Sequence, residues 1–122
     1  MTAANVINGL AYVMLGATDV DRSVEFYRDI LGLDLTGRLE DFAFLDTGAT
    51  TLALSGELSR RQTATQRDRI EIVFSVESVA AAYDALKARI TFANKPRQVN
   101  EKNWAVNFND PDGHALSLYG PR

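Results

Sequence analysis

The stretch TDVDRSVEFYRDILGL, from Thr18 to Leu33, sets Val20, Val24, Tyr27 and Leu31 three or four residues apart, the spacing that lines up one face of an α-helix. Asp19 or Asp21 is available to cap its start, and Gly32 can stop it in a left-handed conformation. Before it, GLAYVMLG from Gly9 to Gly16 reads as a strand, with Tyr12 and Met14 on one face and Ala11, Val13 and Leu15 on the other. After it, Leu33 to Leu39, Phe42 to Asp46 and Thr51 to Ser55 read as three strands, the last two joined around Thr47-Gly48-Ala49. The order is β-α-β-β-β.

The order then repeats. Ile70 to Val76 alternates as a strand, and Ser78 opens a second helical stripe of Val79, Ala82, Tyr83, Leu86 and Ile90. Thr91 to Val99 holds a short strand interrupted by Pro96, and Trp104 to Asn109 with Ala115 to Tyr119 forms a hairpin around Asp110-Pro111-Asp112-Gly113. Val20, Val24 and Tyr27 match Val79, Tyr83 and Leu86 at one constant offset, while Phe44, Asp46, Leu52 and Leu54 match Phe108, Asp110, Leu116 and Leu118 at a second, larger one. Two offsets imply a single insertion between helix and hairpin. A repeat of this length marks a duplicated supersecondary unit, neither copy of which can bury its apolar sheet face alone. The expected organisation is one α+β domain over residues 1–122, with a first module at about 7–56, a charged linker at about 57–69 holding at most a short helical piece, and a second module at about 70–120.

Composition narrows the functional classes. A chain of 122 residues buries roughly two-thirds of its unfolded surface, enough for one core. Its apolar share of 46% and charged share of 24% are those of an ordinary folded domain. The formal charge of −3 offers nucleic acid no basic face. No segment reaches the ~18 apolar residues of a membrane span, and the start lacks the basic-then-apolar order of a secretory signal, so a cytoplasmic protein without membrane contact is expected. The absence of cysteine removes disulfides, thiolate metal sites and a cysteine nucleophile.

Two segments carry a family resemblance. TDVDRSVEFYRDILGL resembles the opening helix, and VNFNDPDGHALSLYGP from Val106 to Pro121 the closing hairpin, of the vicinal oxygen chelate superfamily of glyoxalases, ring-cleaving dioxygenases and bleomycin-resistance proteins. The resemblance covers nearly the whole chain. It implies two tandem β-α-β-β-β modules forming an open cup-shaped mixed sheet, with helices on the convex side and the ligand site on the concave one. It also implies that metal-dependent members carry side-chain ligands on the first and last strands of each module, positions that correspond here to Tyr12, Ala53, Glu71 and Ser117.

Those four residues make a poor metal site. Divalent ions of this family need imidazole and carboxylate donors. Glu71 alone qualifies: Ala53 has no donor, Ser117 is a weak neutral ligand, and Tyr12 would have to give up a proton of pKa ~10. No metal and no other cofactor is therefore expected. His114, the sole histidine, lies three residues from Ser117 on the opposite strand face and is expected as a solvated turn residue outside any Ser-His-Asp arrangement.

What remains is a cup with an expected lining of Tyr12, Met14, Thr51, Ser55, Glu71, Val73, Ser117 and Tyr119, and Trp104 or Phe108 at the wall. Apolar and aromatic concavities with a few polar groups are typical of small-molecule sites. Each of these residues also has a plainer reading as core, and Glu71 in particular as half of a salt bridge with Arg60, Arg61, Arg67 or Arg69, or as an exposed strand end. The leading expectation is a non-catalytic homodimer that sequesters a small aromatic or amphipathic molecule. The alternatives are an enzyme of isomerase, lyase or dioxygenase type using Glu71 as its base or a non-standard metal site, and a structural dimer with a filled cup. Whether one chain or two complete the cup is left open by the residues.

Overall fold

A computed structural model describes residues 10–61 and 70–122. The elements are β1 (Val13–Gly16), α1 (Val20–Val24) running on into a π-helical turn (Glu25–Ile30), β2 (Asp34–Leu39), β3 (Phe42–Asp46), β4 (Thr51–Ser55), α2 (Gly56–Arg61), β5 (Glu71–Ser75), α3 (Val79–Leu86), β6 (Arg97–Gln98), β7 (Trp104–Asn109) and β8 (Ala115–Gly120). They build two four-stranded mixed sheets of identical connectivity, β1-β4-β3-β2 and β5-β8-β7-β6. In each, the first strand runs parallel to the last and the others are antiparallel. The register confirms the repeat residue by residue, because Met14 stands opposite Ala53 as Val73 stands opposite Ser117.

Period-two alternation divides each sheet into a packed face and an open one. Ala43, Leu45, Leu52 and Leu54 of the first sheet and Val106, Phe108, Leu116 and Leu118 of the second point inward and share one buried cluster with Val20, Val24, Tyr27 and Val79 of the helices. Neither sheet has a core of its own.

The helices start where the sequence indicates. Asp19 accepts a hydrogen bond from the Arg22 amide at 3.2 Å and Ser78 one from the Ala81 amide at 3.1 Å, each satisfying an amide that a helix start leaves without a partner. The first helix departs from the expected regular α-helix, widening after Val24 so that the Leu31 amide reaches back five residues to the Phe26 carbonyl at 3.0 Å. This wider turn accommodates two neighbouring buried rings, Phe26 and Tyr27, whose centroids lie 5.1 Å apart edge to face. Gly32, at φ 82°, then ends it.

Other differences are of length. The first strand begins at Val13, the linker opens with α2, and the strand expected across Pro96 shrinks to Arg97 and Gln98 after the proline, which cannot donate to a ladder. The rest of the linker, 62–69, lies outside the described residues.

The two modules are joined through the Asp110-Pro111-Asp112-Gly113 turn. Asp112 accepts from the Thr18 amide at 3.0 Å, the Thr18 hydroxyl at 2.6 Å and, through its other oxygen, the Ser23 hydroxyl at 3.3 Å. Tyr27 donates its hydroxyl to Asp110 at 2.8 Å, while the other Asp110 oxygen accepts the amides of Asp112 and His114, both at 2.9 Å. His114 is thereby corrected. It is buried rather than solvated, with Nε2 2.6 Å from the Gly16 carbonyl of the first module, and since a carbonyl only accepts, that nitrogen carries the proton.

Burial pushes the Asp110 carboxyl above its ordinary value of 3.8, outweighing the hydrogen bonds and the nearby His114 that favour its charged form. Burial beside Asp110 likewise raises the Tyr27 hydroxyl, so it remains a donor throughout the physiological range.

Two outcomes follow for stability. Tyr27→Phe leaves a buried carboxylate oxygen short of its donor and should cost about 1–3 kcal/mol in urea denaturation. Because Asp110 binds its proton more tightly folded than unfolded, its stabilising contribution is complete below 3.8 and is lost as pH rises through the higher folded value. The stability of the wild type relative to Asp110→Asn should accordingly fall over that rise, and a difference constant with pH would contradict the assignment.

Candidate functional site

The open faces of the two sheets differ in chemistry. On the second sheet, Glu71 and Val73 of β5, Ser117 and Tyr119 of β8, and Asn107 of β7 share one face, with Asn107 directly opposite Ser117. The Glu71 carboxylate accepts from the Asn107 amide nitrogen at 3.2 Å and lies 3.5 Å from the Ser117 hydroxyl, the outer limit of a hydrogen bond. Asn107 is itself fixed: its side-chain oxygen accepts from Arg97 at 2.5 Å and from the Asn94 amide at 2.9 Å, and its backbone amide donates to Asn94 at 3.1 Å. A relay thus runs from Arg97 through Asn107 to the acid. Tyr119 projects from the same face, its hydroxyl accepting from Asn100 at 3.2 Å and Asn103 at 3.0 Å.

The corresponding face of the first sheet is apolar. Tyr12, 47% exposed, meets Phe44 edge to face at 6.1 Å, and Phe44 stands opposite Ala53, with Met14 on the neighbouring strand. The sheets adjoin along β5, where a cavity of about 110 Å³ lies between Ile72, Val73 and Phe74 on one side and Val13, Thr51 and Leu52 on the other. Thr51 and Val73 line it together. Ser55, at the end of the same face, is buried and accepts from the Leu58 amide at 3.0 Å, which caps α2.

Phe108 and Trp104 do not belong to the site. Phe108 stands opposite Leu116, not Ser117, and is 2% exposed between Phe26 and Phe92 at centroid distances of 6.4 and 5.5 Å. Trp104 has the same parity, packs against the core cluster and carries the Arg122 guanidinium over its ring at 5.2 Å. Both were assigned to the cup from aromatic character; the alternation of Trp104-Ala105-Val106-Asn107-Phe108-Asn109 assigns that face to Asn107 instead. Asn107 was missed, although this alternation would have revealed it.

The ion-pair reading of Glu71 loses one proposed partner, since Arg60 bonds Asp41 at 2.8 Å. Arg67 and Arg69 lie outside the described residues.

A divalent ion does not fit the donors present. Among the described residues no three of His, Cys, Asp or Glu converge on a point. Glu71 sits with an amide and a hydroxyl, Ala53 has no donor, and the imidazole of His114 is engaged at the module junction. No step through a metal is derived. No described helix is long and apolar enough to cross a membrane.

The comparisons agree with this architecture. Residues 9–118 match the family model described as the Glyoxalase/Bleomycin resistance protein/Dioxygenase superfamily. The metallothiol transferase FosB of Staphylococcus haemolyticus is 28% identical over 93% of this chain and 84% of its own length. The YraH protein of Bacillus subtilis is 30% identical over 90% and 96%. The crystal structure of TnmS3, an antibiotic binding protein from Streptomyces sp. CB03234, superposes with a TM-score of 0.78 at 20% identity, covering 98% of this chain and all of that one, and so shares the fold. With two copies of the same mixed sheet, joined helix to turn, and a family match over nearly its full length, the chain belongs to the glyoxalase, bleomycin resistance protein and dioxygenase superfamily.

Proposed function

We propose that the protein binds a small aromatic or amphipathic molecule without a metal ion. The observation that carries this reading is Glu71, a carboxylate on an open sheet face, oriented by Asn107 and close to Ser117 but joined by no second acid or imidazole. Such a group suits the cationic or hydroxylated end of a ligand better than it suits a cation requiring several anionic donors. The apolar surface of Tyr12, Met14 and Phe44, with Thr51 and Val73 near the seam between the sheets, would receive the ligand's body. Tyr119, its hydroxyl fixed by two asparagines, would wall the polar end.

The reading includes a homodimer acting in the cytoplasm. β1 and β5 are edge strands of their sheets, and Tyr12, Leu39 and Val73 expose apolar surface on or near them that a second copy would cover. Two relatives support ligand capture of this kind: one is named an antibiotic binding protein, and the other, FosB, is named for metallothiol transfer, for which this chain lacks the donor set.

Native mass spectrometry of freshly purified protein should show a dimer mass with no bound zinc, nickel, iron or manganese. Stoichiometric metal would overturn the reading. Glu71→Gln should weaken binding of a cationic aromatic probe such as berberine roughly three- to tenfold by fluorescence titration, the effect of the lost charge being reduced by its exposure. An unchanged affinity would place the ligand elsewhere.

A further inference from the structure

A larger cavity, of about 550 Å³, lies away from the Glu71 carboxylate, between the end of the first helix, the β3–β4 turn, the outer edge of β5 and α3. Its volume falls within the range of roughly 300–1,000 Å³ that holds a small organic ligand. Leu31 and Leu33 form one wall, Val73 and Phe74 a second, and Leu86 a third. No charged side chain lines it.

The β3–β4 turn supplies its polar feature. Thr47 donates its hydroxyl to the Thr50 carbonyl at 2.7 Å and accepts the Thr50 amide at 3.3 Å, while the Thr47 amide also reaches the Thr50 carbonyl at 3.0 Å. The backbone groups of Thr50 are thereby satisfied. Its hydroxyl is not: Thr50 Oγ1 is buried with no hydrogen-bond partner among the described residues, and Thr50 lines this cavity. A buried hydroxyl without a partner is costly, and native structures resolve nearly all such cases with a neighbour, a water or a ligand.

We propose that this cavity is a second binding site, for an uncharged and mainly apolar molecule bearing one hydrogen-bond-accepting oxygen, a ketone, ester or ether, which receives the proton of Thr50 Oγ1. The uncharged lining excludes ions, since a charge brought there would lose water without meeting a counter-charge. The apolar walls contributed by both modules bind the body of the molecule, and the single hydroxyl fixes its direction. The site stands independently of the Glu71 reading, because neither its polar group nor its lining includes Glu71, Asn107 or Ser117.

The probe is prodan, a neutral naphthalene ketone whose fluorescence moves to the blue in apolar surroundings. Titrated into the full-length chain, it should show one saturable site. Thr50→Val, close in shape but lacking the hydroxyl, should weaken binding about three- to tenfold, and Thr50→Ser should restore it. Ala85→Phe, an exposed rim position of α3 where a larger ring disturbs no core packing, should weaken binding at least tenfold while the far-ultraviolet circular dichroism stays that of the wild type. Absence of saturable binding to the wild type, equal affinity in Thr50→Val, or indifference to Ala85→Phe would each overturn the proposal. So would native mass spectra in which Ala85→Phe dissociates a dimer to which prodan does not bind, since the cavity would then belong to a second copy.

Discussion

Two carboxylates in one tight turn hold the molecule together. Asp110 and Asp112 accept hydrogen bonds from Thr18, Ser23 and Tyr27, all on the opening segment and helix of the other module, while His114 beside them reaches the Gly16 carbonyl. The apolar faces of the two sheets have no complete cover of their own, and Phe26 meets Phe108 only because this turn is seated against the first helix. A buried acid costs folding free energy unless its oxygens are occupied, and here the donors that occupy them come from the far half of the chain. Desolvation thus makes the junction specific, since a misdocked module would leave both acids buried without donors.

Much of this architecture was legible in the sequence, because it rests on periodicity. The stripe Val20, Val24, Tyr27, the caps Asp19 and Ser78, and the strand limits at Phe42, Thr51 and Trp104 all report local geometry, and the constant offsets between copies reappear as the pairing of Met14 with Ala53 and of Val73 with Ser117. What could not be read was tertiary. Asp-Pro-Asp-Gly is a sound turn signal whether or not anything docks on it, so nothing near His114 in the chain announced that Gly16 would cover it. The π-helical turn was hidden for a similar reason, since it accommodates Phe26 against Phe108, a residue far away in sequence. Trp104 and Phe108 are a different case: strand parity already excluded them, and aromatic character was given more weight than geometry.

At the face of the second sheet, chemistry follows from what surrounds a lone acid. Glu71 is held by an asparagine that is gripped in turn by Arg97 and Asn94, so the carboxylate is aimed without being neutralised by direct contact with a cation. Contact with the guanidinium would have consumed the charge in an internal ion pair. An intervening amide passes on the orienting effect and leaves the oxygens able to accept from a visiting group. The same positions in the first module are a phenol and a methyl group, so the duplication that built two equal sheets has ended in one polar and one apolar surface.

The widened turn from Glu25 to Ile30 has a consequence for how such a chain can change over generations. It holds one residue more than a regular helix needs, so losing a single codon there would tighten the backbone and swing everything beyond it by about 100° around the axis. Leu31 and Leu33 lie immediately beyond it. An indel of one amino acid, usually ruinous inside a helix, would at this point reshape a cavity wall while leaving the Asp19 cap and the β2 pairing on either side to hold the frame.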